Sequence, residues 1–458
     1  MGGWFASAQS SAPAASRARS GEGKMGPRRA WLGAGSALVL LAGCMQPLGL
    51  TSRSAFSDAG APQGAIARQD QEAQASDLIA DLQARRTVLP PKGPFSAVAN
   101  SVLAGSASAA EADLRVARLT AKAQAKNWLP TVGPNFSLSS LGSVASSLLI
   151  DQVLFDNGRK KAERAYAAAD VEVAAVGLSQ EMNDRVFTGL QLYVNALKSR
   201  DQASSDMAAV ARMQEYNRIM GERVKGGMSD ESEARVIRQK LAEMQARQGT
   251  DNDAATLARN QLNAMAGWPL DQVAGLDEIT IPVAAPDPLA VKLAESEGAR
   301  AVAQAKITRA AYLPGASAQA GVGNGKPTLG LVIGAEQMLG LGTLDTLAAL
   351  DASQEAADAR AKVAREEADR AIGTLQGKLA ALMAQQARST DVTGQTAASL
   401  DMFTEQYRAG RRTLMELVTM YETYAQMQRD QIGLKYDIAL IKLEIARQRG
   451  LLVDGASI

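Results

Sequence analysis

With 458 residues, 46% hydrophobic but only 4% aromatic, the chain can bury a large core drawn from Ala, Leu, Val, Ile and Met, which suits long, closely packed helices. Its 49 basic and 48 acidic residues leave a formal net charge of +1 and no field to gather nucleic acid. There is no histidine and one cysteine, Cys44, which removes the usual general base, the commonest metal ligand and any disulfide within the chain.

No Walker A loop, GxSxG elbow or framed pair of carboxylates stands out, so no catalytic residue, metal or cofactor is expected. Arg28 and Arg29 precede the apolar run "AWLGAGSALVLLAG" at 30–43, too short to span a bilayer as a helix and suited to the h-region of an export signal. Residues 1–43 therefore read as a signal peptide, within which 1–24 read as an upstream mis-start because Met25 would begin a signal of ordinary length. Leu41-Ala42-Gly43-Cys44 resembles the lipobox of bacterial lipoproteins, which implies cleavage before Cys44 and its acylation. The resemblance also implies sorting to the outer membrane, because Met45 follows the cysteine where retained lipoproteins carry Asp. Residues 44–94 form the lipidated segment and a linker that ends in "LPPKGP".

Two long tracts without proline follow, 157–222 and 343–406, rich in helix formers; about 65 residues of helix would be on the order of 100 Å long. Leu434, Ile438, Ile441 and Ile445 step like the seam of a coiled coil, so these helices pack lengthwise. Gly227 and Gly410 sit in similar basic surroundings 183 positions apart (410 − 227), and the Leu-Pro pairs ending at Pro130 and Pro314 are 184 apart (314 − 130). One unit is thus used twice, at 95–267 and 289–452, with a linker at 268–288 and a tail at 453–458. After each Leu-Pro come two period-two segments: 131–141 with 146–156, and 313–323 with 328–339, separated by turns at 142–145 and 323–327. Their length, roughly ten residues, crosses a bilayer as a tilted strand, although surface hairpins alternate in the same way. Four strands cannot close a membrane barrel, so several chains must contribute.

"LPTVGPNFSLSS" at 129–140, "QVLFDNGRKKAERAYAAADVEVA" at 152–174, "ERVKGGMSDESEARVIRQKLAE" at 222–243 and the segment 406–450 opening "QYRAGRRTLMEL" resemble TolC-type outer-membrane efflux proteins over about 95–452. The resemblance implies a mainly α protein with a small membrane β part. Long helices would form an α-barrel, and four strands per chain would complete a 12-strand barrel in a homotrimer. It also implies a periplasmic adaptor and an inner-membrane pump as partners. The motif Phe155–Arg159 has only "LGLGT" at 339–343 as its counterpart, a departure that leaves the second strand-to-helix junction open.

Matched residue by residue, Gly227 and Gly410 become the tips of two helical hairpins, where the chain reverses through a left-handed residue. Tyr407 and Arg412 match the residues that hold the inner hairpin closed, and Glu233 matches an acid that pairs with that arginine. Glu416 matches one acid of the constriction, while the second falls on Thr419, so the ring should be less negative. Arg408 and Arg411 flank Gly410 where the family meets its adaptor. The same charges would also suit solvated helix faces. A trimeric coiled-coil lipoprotein without transport activity shares the heptads and Cys44 but has no use for the two hairpins. Small-molecule efflux and type I protein secretion are not separated by these residues.

Overall fold

The computed structural model describes residues 76–106, 108–138, 144–282, 284–323, 326–338 and 340–457. The apolar run at 30–43 and Cys44 lie outside them, as do residues 139–143 within the first predicted hairpin. Three short helices, α1 (Asp77–Ala84), α2 (Pro94–Ala104) and α3 (Ala109–Gln124), lead into strands β1 (Thr131–Leu138) and β2 (Val144–Phe155). Helices α4 (Arg159–Lys225) and α5 (Glu231–Ala266) complete the first unit. The second unit is α6 (Leu289–Ala311), β3 (Gly315–Gly323), β4 (Lys326–Gly334), α7 (Thr343–Arg408) and α8 (Leu414–Gln448), closed by a short 3₁₀ turn at Gly455–Ser457. The mainly α class with a small β part is the one expected from the sequence.

At 67 and 66 residues, α4 and α7 are each about 100 Å long. Helix α4 packs against α5, α6 and α8, and α7 packs against α6 and α8. Three apolar clusters lie along this stack. The largest gathers Phe95, Val102, Leu190, Tyr193, Tyr436 and Leu443. Phe95 and Tyr193 meet edge to face with ring centroids 6.1 Å apart. A second cluster fills the hairpin ends with Met213, Met220, Ile237, Met244, Leu414 and Val418, and a third joins Leu82, Leu114, Val176 and Leu289. Of the predicted seam, Leu434, Ile438 and Ile445 are buried and Ile441 is half-buried.

The four strands form one antiparallel sheet in the order β1-β2-β3-β4. Its edges differ from those read off the sequence, for local reasons. β3 begins at Gly315 rather than 313 because the Leu313 N–H still closes the helix end on the Ala310 carbonyl. β4 ends at Gly334 rather than 339, since Gly334 pairs with the first residue of β3 and no strand among the described residues continues beyond it. Of the expected turn at 323–327, Gly323 closes β3 and pairs with Lys326 at the start of β4, while 324 and 325 lie outside the described residues. Val144 and Ala145, placed in a turn by the sequence, pair with Leu138 and Ser137. β2 stops at Phe155 because Asp156 turns to cap α4, taking the Gly158 N–H on Oδ1 at 3.0 Å and the Lys160 N–H on Oδ2 at 2.6 Å.

The second strand-to-helix junction resolves as well. Thr343 Oγ1 accepts the Gly340 N–H at 2.8 Å where α7 begins. Arg159, from the first junction, forms an ion pair with Glu336 just after β4. The first repeat's motif therefore braces the second junction, which lacks its own.

Candidate functional site

The two helical hairpins end in one hydrogen-bond pattern. At the α4–α5 tip, Gly227 N–H donates to the Val224 carbonyl at 3.0 Å and Met228 N–H to the Arg223 carbonyl at 2.8 Å. At the α7–α8 tip, Gly410 N–H donates to Tyr407 at 3.0 Å and Arg411 N–H to Gln406 at 2.8 Å. This is the Schellman arrangement, which needs a left-handed residue; φ is +70° at Gly227 and +69° at Gly410. The return helices start on caps 183 positions apart (413 − 230). Asp230 accepts from Ser232 and Glu233 N–H, and Thr413 forms a full capping box with Glu416.

Arg412 is fixed within its own hairpin. Its Nε donates to Gln406 Oε1 at 2.7 Å, its Nη1 donates to Glu416 Oε1 at 2.9 Å, and its guanidinium lies 3.9 Å over the Phe403 ring. The Thr413 backbone N–H, donating to Glu416 Oε2 at 2.8 Å, holds the Glu416 carboxyl below its ordinary value of 4.5. Tyr407 is half-buried against the hairpin-end cluster. Glu233 occupies the first turn of α5 and is not among the groups bonded to Arg412 within one chain. Arg408 and Arg411 are exposed at the tip, Arg408 paired with Glu405 at 2.7 Å. Beside Arg412, the residues Phe403, Met415, Glu416, Thr419, Met420 and Thr423 line an open cleft.

Farther from the tip, α8 is tied to α4 and α5 by charge. Arg429 Nη1 donates to Asp206 Oδ2 at 2.6 Å and to Asp251 Oδ2, while Nη2 donates to Asp251 Oδ1 at 3.0 Å. The Asp206 side chain is only 5% exposed, and burial pushes its carboxyl up from 3.8 against the pull of Arg429. Sequence reading missed this group. Its trace was there, because Asp206 falls between Ala203, Ala209, Val210 and Met213 on an apolar helical stripe. Likewise, "TLME" at 413–416 carries the spacing of a capping box.

The sheet has two unlike faces, set by the register. Val132, Leu148, Ile150, Val322, Leu329, Leu331 and Ile333 share one, and each is at least 40% exposed. On the other, Thr131, Asp151, Gln319 and Gly330 form one cross-strand row. Asp151 Oδ2 accepts from Ser317 Oγ at 3.2 Å and from Gln319 Nε2 at 2.9 Å.

No protein-family model and no curated protein sequence matches the chain. Solved structures do. The outer membrane protein VceC from Vibrio cholerae is 16% identical, with a TM-score of 0.64 over 78% of this chain and 96% of that one. The Campylobacter jejuni CmeC outer membrane channel is 11% identical, with a TM-score of 0.65 over 78% and 86% of the two chains. The Neisseria gonorrhoeae MtrE outer membrane channel, solved in its open state, is 14% identical, with a TM-score of 0.60 over 82% and 89%. At these identities the likeness establishes a shared fold.

Proposed function

We propose that this chain is one protomer of a homotrimeric, TolC-type exit duct in the outer membrane, passive and without catalysis, working with a periplasmic adaptor and an inner-membrane pump in efflux or type I secretion. The observation that carries this reading is the sheet: it has one apolar face, one face made mainly of polar residues and glycine, and two edges, β1 and β4, that no strand among the described residues covers. In lipid an open edge leaves backbone groups unsatisfied, and joining β1 of one copy to β4 of the next removes every edge. Three copies give twelve strands. The helices support the same closure: α7 buries only Ala357, Ala368, Ile372 and Thr393, and leaves Val363, Met383 and Met402 more than half exposed.

In the trimer, the α7–α8 hairpin is the inner one and Tyr407, Arg412, Glu416 and Glu233 form the periplasmic gate, with Glu233 reaching Arg412 of a neighbouring copy. Gly227, Gly410, Arg408 and Arg411 form the tips that meet the adaptor. Cys44 carries the lipid anchor. Native mass measurement of the detergent-extracted protein together with planar-bilayer recording tests the duct: three copies and a discrete conductance are expected, and a stable monomer that conducts nothing refutes it. Labelling with a palmitate analogue tests the anchor, which is wrong when wild type and Cys44→Ser take up label equally.

A further inference from the structure

We infer that Asp151 is a specificity-determining residue of the barrel, one carboxylate per chain that makes this section of the duct prefer cations, independently of the tip. The inference rests on the trimeric duct proposed above. Threefold closure repeats the row Thr131–Asp151–Gln319–Gly330 around the axis, and its face is the one turned away from the apolar, lipid-suited side chains. Three carboxylates then ring the passage. Rings of Asp or Glu side chains are one way in which pores select cations.

Three features of the chain favour this role over a solvated surface charge. The four strands contain only two charged residues, Asp151 and Lys326. Lys326 pairs with Gly323, four positions along β3 from Gln319, which puts its backbone roughly 13 Å along the strand from the row of Asp151. No counter-charge thus stands beside Asp151 in its row. Second, the Ser317 hydroxyl and the Gln319 amide both donate to Oδ2, so the carboxylate is held on its face. Third, the space in front is clear: a Cβ added at Gly133 or Gly330, on the same face, would meet nothing within 4 Å. Arg159 and Lys160, at the foot of the sheet, are already paired with Glu163, and Arg159 also with Glu336.

The test is the reversal potential of the full-length protein in a planar bilayer under a KCl gradient. Wild type should favour K⁺ over Cl⁻. Asp151→Asn, which keeps the size and the strand-to-strand bonding, should lower that ratio by about threefold or more, whereas Asp151→Glu should retain it. An unchanged ratio in Asp151→Asn overturns the inference while leaving the duct intact; a wild type that never conducts overturns the duct reading itself. A second measurement does not depend on a variant at Asp151. In Glu416→Gln, stripped of the tip carboxylate, a K⁺ preference should persist at 0.1 M and fade toward 1 M KCl as screening tightens to about 3 Å. Absence of any such preference refutes the role of Asp151.

Discussion

Arg412 Nε donates to Gln406 Oε1 at 2.7 Å, clasping the chain across the tip of the α7–α8 hairpin. The first tip holds the same clasp with its ends exchanged: Arg223 Nε donates to Ser229 Oγ at 3.2 Å, and 223 and 229 lie 183 positions before 406 and 412 (406 − 223). A duplicated unit has kept the geometry of its turn while moving the arginine from one side to the other. The second arginine has Glu416 and Phe403 as further neighbours, which fixes it more firmly.

The glycines under these clasps are needed for backbone conformation alone, since an added Cβ at Gly227 or Gly410 meets nothing within 4 Å. Alanine at either position should cost about 1 kcal/mol, and asparagine less. Hydrogen exchange at Met228 and Arg411, whose N–H groups close the two turns, should rise in the alanine variants. Unaltered protection would show that the turns tolerate a side chain.

If Arg412 and Tyr407 hold the proposed gate closed, Arg412→Ser combined with Tyr407→Phe should raise single-channel conductance and make cells leakier to bulky antibiotics. Trimer yield and thermal stability should change little, because Arg412 is a third exposed and the hairpin-end core remains. Wild-type conductance in this double variant would remove both residues from the gate.

Arg408→Ala with Arg411→Ala acts on exposed side chains, so stability should stay within about 0.5 kcal/mol of wild type. Export should fall while conductance in isolated bilayers stays the same. A higher conductance would move these arginines from the docking surface into the gate.

Arg429→Met strands two buried carboxylates and should destabilise the helical stack by about 3 to 5 kcal/mol. Adding Asp206→Asn and Asp251→Asn removes the uncompensated charge and should recover most of that loss. Thermal unfolding of the two variants in detergent reads the difference, and a triple variant no better than the single one would mean that the guanidinium acts through packing.

Acid should loosen the start of α8. Glu416 has a folded pKa below its ordinary 4.5, so the stability it contributes is present above that value and is lost as pH falls through the folded one. Protection of the first turn of α8, corrected for intrinsic exchange, should drop below about pH 4.5 in wild type and show no such step in Glu416→Gln. Asp206 works in the opposite sense, since burial raises its pKa and protonation favours the folded form.

Much of this molecule is local and therefore readable along the chain. Proline spacing and helix-forming composition determined α4 and α7, and period two determined the strands, because each depends on residues within a few turns of one another. Strand ends were misjudged by up to five residues at β4, since a strand stops where its partner stops, and that partner is set by pairing rather than by its own residues. Only the folded chain brought Asp206, Asp251 and Arg429 together, across sequence separations as long as 223 residues. The same holds for Glu336 reaching Arg159, and for the row that places Asp151 beside Gln319. A charge on a helix looks the same in sequence whether it meets water or a counter-ion, and burial by a distant segment is what separates the two.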